Sequence, residues 1–223
     1  LYSFSLSPPY IDENLNNRYW DFGGDTLLEV NKFVRMTQDR PAQDGWIWSK
    51  QPLNARAWQV EFEFAVHGKP GVVHGDGFAF WYTMDRAVEG PVFGSKDQFQ
   101  GLGVFFDTYP NGRHPHAFPY VNAMVGDGKT PYDHATDGVS NEIGGCSLNF
   151  RNKNWPTRAR VRYVPKLGIK VDLVVRSDGV WESCFEAPAA NLTAGGYLGF
   201  TAWTGDVSDA HDLLRVDTYS LLN

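Results

Sequence analysis

The chain has 223 residues, 42% hydrophobic, 15% aromatic and 21% charged, with a net charge of -6. That length suits one large all-β or α/β domain with a sizeable core, and the composition is that of an ordinary globular chain without a disordered tail. No run of Lys or Arg suited to a phosphate backbone occurs, which argues against a nucleic-acid partner, and no apolar run reaches the roughly 18 residues a membrane helix needs. The opening "LYSFSLSPPY" lacks the charged and apolar regions of a signal peptide, and a start at Leu1 reads as a mature or trimmed segment of a soluble chain.

In chain order the predicted elements are short strands. "TLLEVNKFVRMT" is the first, and "WQVEFEFAVH" follows, with Trp58, Val60, Phe62, Phe64 and Val66 alternating with Gln59, Glu61 and Glu63. That period of two belongs to a half-buried strand with one face in the core. "GFAFWYT", "GLGVFFD" and "YVNAMV" come next. "ARVRYV" sets Ala159, Val161 and Tyr163 against Arg160 and Arg162, and "GIKVDLVV" puts Ile169, Val171, Leu173 and Val175 on one side. These two are expected to form a hairpin through Pro165, Lys166, Leu167 and Gly168. "GYLGFTAW" and "LLRVDTYSLL" close the series, and Gly, Pro, Asn and Asp separate the strands. With no long amphipathic helix, internal repeat or linker, the expectation is all-β: a single sandwich or jelly roll spanning residues 1–223, with a barrel as the alternative.

Polar loops at the strand ends are where chemistry is sought. "GLGVFFDTYPNG" ends in Asp107, Tyr109 and Asn111. Its Asp-x-x-x-Asn-Gly spacing opens like an EF-hand loop, but the twelfth position is Phe118 where that loop needs a bidentate Glu, and a strand precedes it rather than a helix. What remains is a carboxylate, a side-chain amide and turn carbonyls, hard oxygen donors suited to calcium. "YDHATDG" supplies further carboxylates in Asp133 and Asp137. The competing reading is that these acids only terminate turns by accepting backbone N–H bonds. Asp76, in "HGDGFAFWYT", and Gly205, in "TGDVSDAHD", stand beside apolar strands and are either turn residues or fixed partners for ligand hydroxyls. Composition assigns neither Trp81 nor Trp203 to a ligand, because most aromatics of a sandwich belong to its core.

Other chemistries find less support. Glu61 and Glu63 share one strand face, as a glycoside hydrolase's carboxylate pair might, but the alternation turns that face toward solvent. No G-x-S-x-G elbow, P-loop or G-x-G-x-x-G occurs. The two cysteines, Cys146 and Cys184, lack CxxC spacing, which argues against zinc. They are either free thiols of a cytosolic protein or a disulfide of a secreted one. The sequon Asn191-Leu192-Thr193, a candidate for glycosylation, favours the second.

Taken together, "HGDGFAFWYT", "GPVFGSKDQFQGLGVFFDTYPN", "YDHATDG" and "GYLGFTAWTGDVSDAHDL" resemble the leguminous-type lectins of the early secretory pathway, and most closely the membrane cargo-receptor lectins of endoplasmic reticulum to Golgi transport. The resemblance runs from Trp20 nearly to the C-terminus. It implies two large antiparallel sheets and a non-enzymatic, calcium-dependent site for high-mannose N-glycans, in the lumen of the endoplasmic reticulum, intermediate compartment or Golgi. By that pattern Asp107, the Tyr109 carbonyl, Asn111 and Asp137 hold one Ca²⁺. Asp76, Asn111, His134 and the backbone of Gly205, Asp206 and Val207 meet mannose. Cys146 and Cys184 pair, and the peptide before Asp76 is cis.

Two departures qualify the pattern. Phe105 stands where plant relatives carry a glutamate for a second metal, so no manganese site is expected. Ala42 stands where the membrane lectins tend to offer a serine to the sugar. Protonation of His134 is expected to weaken binding in acidic compartments. The alternatives carried forward are a glycoside hydrolase on the same architecture and a sandwich that binds protein instead of sugar.

Overall fold

The structure is a computed structural model that describes residues 1–71, 73–112 and 114–221. Its strands, in chain order, are β1 (Trp20–Gly24), β2 (Leu27–Glu29), β3 (Phe33–Thr37), β4 (Gln43–Ser49), β5 (Trp58–His67), β6 (Gly77–Thr83), β7 (Glu89–Gly90) and β8 (Gly94–Ser95). They continue with β9 (Gln100–Asp107), β10 (Tyr120–Asp127), β11 (Gly144–Ser147), β12 (Thr157–Val164), β13 (Gly168–Val174), β14 (Glu182–Ala187), β15 (Tyr197–Thr204) and β16 (Ala210–Ser220). A front sheet has the order β1-β4-β15-β6-β9-β10-β11 and a back sheet the order β14-β13-β12-β5-β16-β3-β2, each of 7 strands. Every pairing in both sheets is antiparallel. The all-β sandwich read from the sequence is the fold.

Alternation builds the back sheet. Burial along β5 alternates residue by residue, with Trp58, Val60, Phe62, Phe64 and Val66 turned inward. Their rings meet those of the front sheet: Phe62 stacks on Phe80 at 5.8 Å, and Phe64 packs on Phe78 at 5.1 Å. Burying aromatic side chains of this size supplies most of the stabilisation of such a core, at roughly 25 cal/mol per Å² of apolar surface. The expected hairpin is present, with Val164 paired to Gly168 across its turn. "TLLEVNKFVRMT" instead makes two strands, β2 and β3, paired around a turn in which Lys32 N–H donates to the Glu29 carbonyl. The expected last strand runs to Ser220 within β16, and its final position, Leu222, lies outside the described residues.

β6 is buried at all of its 7 positions, because both faces are covered. Phe78, Phe80 and Tyr82 enter the inter-sheet core, whereas Ala79 and Trp81 join a second apolar cluster with Phe93, Phe99, Phe105 and Tyr132 on the far side of the front sheet. Cys146 and Cys184 form a disulfide with Cα atoms 5.2 Å apart. It joins β11, at one edge of the front sheet, to β14, at one edge of the back sheet.

Candidate functional site

Strand register brings the predicted residues to one end of the front sheet. Gly77, the first residue of β6, lies opposite Asp107, the last of β9, and opposite Trp203 near the end of β15. The segments before β6, after β9 and after β15 therefore leave the sheet side by side. Asp76 ties them together, its N–H donating to the Trp203 carbonyl at 3.0 Å and its carbonyl accepting from Thr108 N–H at 3.1 Å. The Gly75–Asp76 peptide is cis, as expected. Gly75 permits the close approach, since a Cβ there would stand 2.8 Å from the Tyr109 Cβ and 3.2 Å from Val207 Cγ2. Ala42 belongs to the same rim, its N–H donating to the Gly205 carbonyl at 3.1 Å.

Asp107 and Asp137 form the inner part of the site. Both are buried, at 2% and 1% exposure, and among the described residues no basic side chain makes an ion pair with either. Asp107 Oδ1 accepts from Tyr109 N–H at 3.1 Å. Asn111 donates twice to Asp137, from its backbone N–H at 2.9 Å and from Nδ2 at 2.8 Å, which leaves the Asn111 Oδ1 free to face a cation. Burial and the neighbouring Asp137 charge push the Asp107 carboxyl well above the usual carboxylate range. Two desolvated carboxylates without a counter-ion are costly, and a bound cation removes that cost.

The donor set fits calcium. Two carboxylates, a carboxamide oxygen and the Tyr109 carbonyl are hard oxygen ligands; among the described residues no group of three or more His, Cys, Asp or Glu gathers as a metal site, so the amide and the carbonyl would have to complete this one. Thr108 Oγ1 and Asn122 Oδ1 are buried beside these ligands without hydrogen-bond partners. Phe105, by contrast, contributes a ring to the second apolar cluster, 5.0 Å from Tyr132 and 5.6 Å from Trp81, and offers no donor.

The structure separates the acids of "YDHATDG". Asp133 caps the short 3₁₀ turn His134–Thr136, accepting from Ala135 N–H, Thr136 Oγ1 and Ser140 Oγ, so it is the turn residue of the competing reading. Asp137 ends that turn with φ of 53° and reaches the site. The next residue, Gly138, has φ of 78°, and a Cβ there would strike the Tyr132 ring at 2.6 Å. Exposed His134 rests edge-on against Tyr132, with ring centroids 4.9 Å apart.

Asp76 lies beside this centre. Burial and the Asp206 charge raise its carboxyl to about 6, and a hydrogen bond with the Trp203 side chain pulls the other way. A Cβ at Gly205 would stand 3.4 Å from Asp76 Oδ2 and 3.6 Å from the Trp203 indole nitrogen, so glycine keeps the space above the carboxylate open. The loop carrying Gly205, Asp206 and Val207 is fixed from below. Ser208 Oγ donates to Asp39 at 2.6 Å, and Asp209, fully buried, takes a fork of bonds from Arg151 at 2.7 to 3.1 Å.

Sequence reasoning left out three supporting residues. Trp203 partners Asp76. Asn122 Nδ2 donates to the Asp137 carbonyl at 2.9 Å, and Arg151 anchors the 204–209 loop. The one legible signal was Asn122, a polar residue inside the apolar run "YVNAMV" and in register with Phe105.

The model of the legume-like lectin family matches residues 1–223. The vesicular integral-membrane protein VIP36 of Mus musculus is 42% identical over 205 residues, which is 91% of this chain and 56% of that protein. The human VIP36-like protein is 39% identical over 222 residues, 97% of this chain and 63% of that one. The chain thus spans about six tenths of the length of these relatives. Among solved structures, the VIP36 exoplasmic/lumenal domain in its Ca²⁺/Man2-bound form superposes with a TM-score of 0.94 at 39% identity, covering 100% of this chain and 90% of that one. The Emp47p carbohydrate recognition domain, at 19% identity and a TM-score of 0.82, shares the fold.

Proposed function

This chain belongs to the legume-like lectin family, and from that premise we propose that residues 1–223 form one carbohydrate-recognition domain that binds α-mannose of high-mannose N-glycans in a calcium-dependent way. The observation that carries the reading is the pair of buried carboxylates, Asp107 and Asp137, held without a counter-ion beside an open Asp76. VIP36 domain structures bound to Ca²⁺ with Man, Man2 or Man3GlcNAc support the choice of ion and sugar.

Asp107, Asp137, the Asn111 Oδ1 and the Tyr109 carbonyl would hold one Ca²⁺. The ion neutralises the carboxylate pair and fixes the loop that carries Asn111. Phe105 argues against a second metal beside it. Mannose hydroxyls then meet the Asp76 carboxylate as acceptor, the Asn111 and His134 side chains, and N–H donors of Gly205, Asp206 and Val207. Because these groups sit on loops already tied by hydrogen bonds, little ordering entropy is lost on binding. The action is reversible capture without chemistry on the sugar. Its setting, by analogy with the relatives, is a glycoprotein cargo receptor in the lumen of the endoplasmic reticulum, intermediate compartment or Golgi.

Calorimetric titration of α1,2-linked mannobiose with calcium, with chelator, and on Asp107→Ala tests the proposal. Binding that requires both calcium and Asp107 is expected. A folded domain that ignores the sugar under calcium overturns it in favour of a protein-binding sandwich, and release of product from a mannan would revive the hydrolase.

A further inference from the structure

The chain's only N-x-S/T triplet, Asn191-Leu192-Thr193, lies in the irregular segment 188–195 between β14 and β15. Asn191 and Thr193 are exposed, whereas Leu192 is buried at 8% and anchors the segment. The Tyr163 hydroxyl, at the end of β12, pins the triplet: it donates to Asn191 Oδ1 at 2.9 Å and accepts from Leu192 N–H at 3.0 Å. Tyr82 adds a bond to the Thr193 carbonyl at 3.1 Å. Asn191 is therefore held by its carbonyl oxygen, and among the described residues no hydrogen bond engages its Nδ2.

The position of this segment follows from register. Tyr163 pairs with Trp58, the first residue of β5, whereas Ala210, just after the 204–209 loop, pairs with His67, the last. In the front sheet Gly77 adjoins Asp76, and Tyr82 is five steps further along the strand, about 17 Å at roughly 3.4 Å per residue. Asn191 thus stands at the pole opposite Asp76, Asp107 and Gly205.

We propose that Asn191 is an occupied N-glycosylation site whose glycan projects from the pole opposite the mannose site. The step is an oligosaccharyl transfer from a lipid-diphosphate donor. The sugar C1–O bond to the diphosphate breaks, a C1–Nδ2 bond forms, one amide proton leaves and the lipid diphosphate departs, with no change of oxidation state. The Asn191 carbonyl survives, so its bond from Tyr163 persists and the fold needs no rearrangement to carry the sugar. The disulfide joining Cys146 and Cys184 marks the oxidising lumen in which such donors act.

The inference rests on passage through that lumen and makes no use of mannose binding. To test it, the chain is secreted from a eukaryotic host behind a signal sequence, together with a reporter of known sequon occupancy, and its intact mass is taken before and after endoglycosidase. The expected result is one mass step in the wild type, removable by the enzyme and mapped to Asn191. It should be absent from both Asn191→Gln and the fold-neutral Thr193→Ala. A wild-type mass equal to the bare chain, while the reporter is fully glycosylated, overturns the proposal.

Discussion

Two carboxylate-bearing regions of this molecule differ in how their charge is answered. On the outer face of the back sheet, Glu61 meets Arg158 at 3.0 Å, and Asp172 meets Arg160 at 3.0 Å, with the Trp181 ring 4.2 Å from the Arg160 guanidinium. At the end of the front sheet, Asp107 and Asp137 are buried more deeply and have no basic partner among the described residues. The first region is complete as it stands: Glu61 and the buried Asp172 are each matched by a partly exposed arginine. The second has its charge unanswered, the condition under which a buried acid serves a ligand. Beneath it, the buried Asp209 and the mostly covered Arg151 form a third kind of site, a matched pair that holds the loop of Gly205, Asp206 and Val207 in place.

The sharpest way to break this comparison is to unmatch the matched pair. Arg151→Ala leaves Asp209 buried without its partner, so chemical denaturation should show a loss of about 3 to 5 kcal/mol, with mannose affinity falling as the 204–209 loop loosens. A variant as stable as the wild type would mean that the pair adds nothing. Next comes Asp107→Ala, expected to cut calcium affinity by at least about 100-fold, or roughly 3 kcal/mol, and to abolish calcium-dependent mannose binding in calorimetry. In the absence of calcium the same change should cost little stability, because it removes an unanswered buried charge.

Cys146→Ser with Cys184→Ser probes the edge where the two sheets are tied together. A loss of about 2 to 4 kcal/mol on unfolding is expected, with mannose affinity retained. Asp76→Asn should weaken mannose by about 10- to 100-fold while leaving calcium affinity near the wild-type value, since it removes a charged acceptor and no metal ligand.

The smallest effect is on pH. Asp76 accepts hydroxyl hydrogens best as the carboxylate, and with its folded value raised to about 6 it becomes protonated as pH falls through that region. Mannose affinity should therefore drop between about pH 7 and 5, by several-fold, and Asp76→Asn should flatten the profile. The sign for stability is the reverse. A carboxylate whose folded value is raised opposes the fold at neutral pH, and that penalty is relieved as pH falls through about 6. Asp76 is thus a second source for the pH response expected of the site. A profile abolished by a His134 variant and untouched by Asp76→Asn would return it to the histidine.

By itself, the amino-acid sequence determined the strands whose two faces meet different solvents. Alternation along β5 and β12 told core from water because burial follows side-chain direction, which reverses at every residue. It also carried the oxygen-rich turns, since hard donors and turn formers are the same residue types. Only tertiary structure could choose between Asp133 and Asp137, four residues apart on one loop, because the choice depends on a 3₁₀ turn that directs one acid into its own cap and the other toward Asn111. Likewise Trp203, Asn122 and Arg151 carry no local mark of their roles. Their partners lie up to 127 residues away, and non-local placement brings each pair together: strand register for Trp203 and Asp76, and the packing of loops for Asn122 with Asp137 and Arg151 with Asp209.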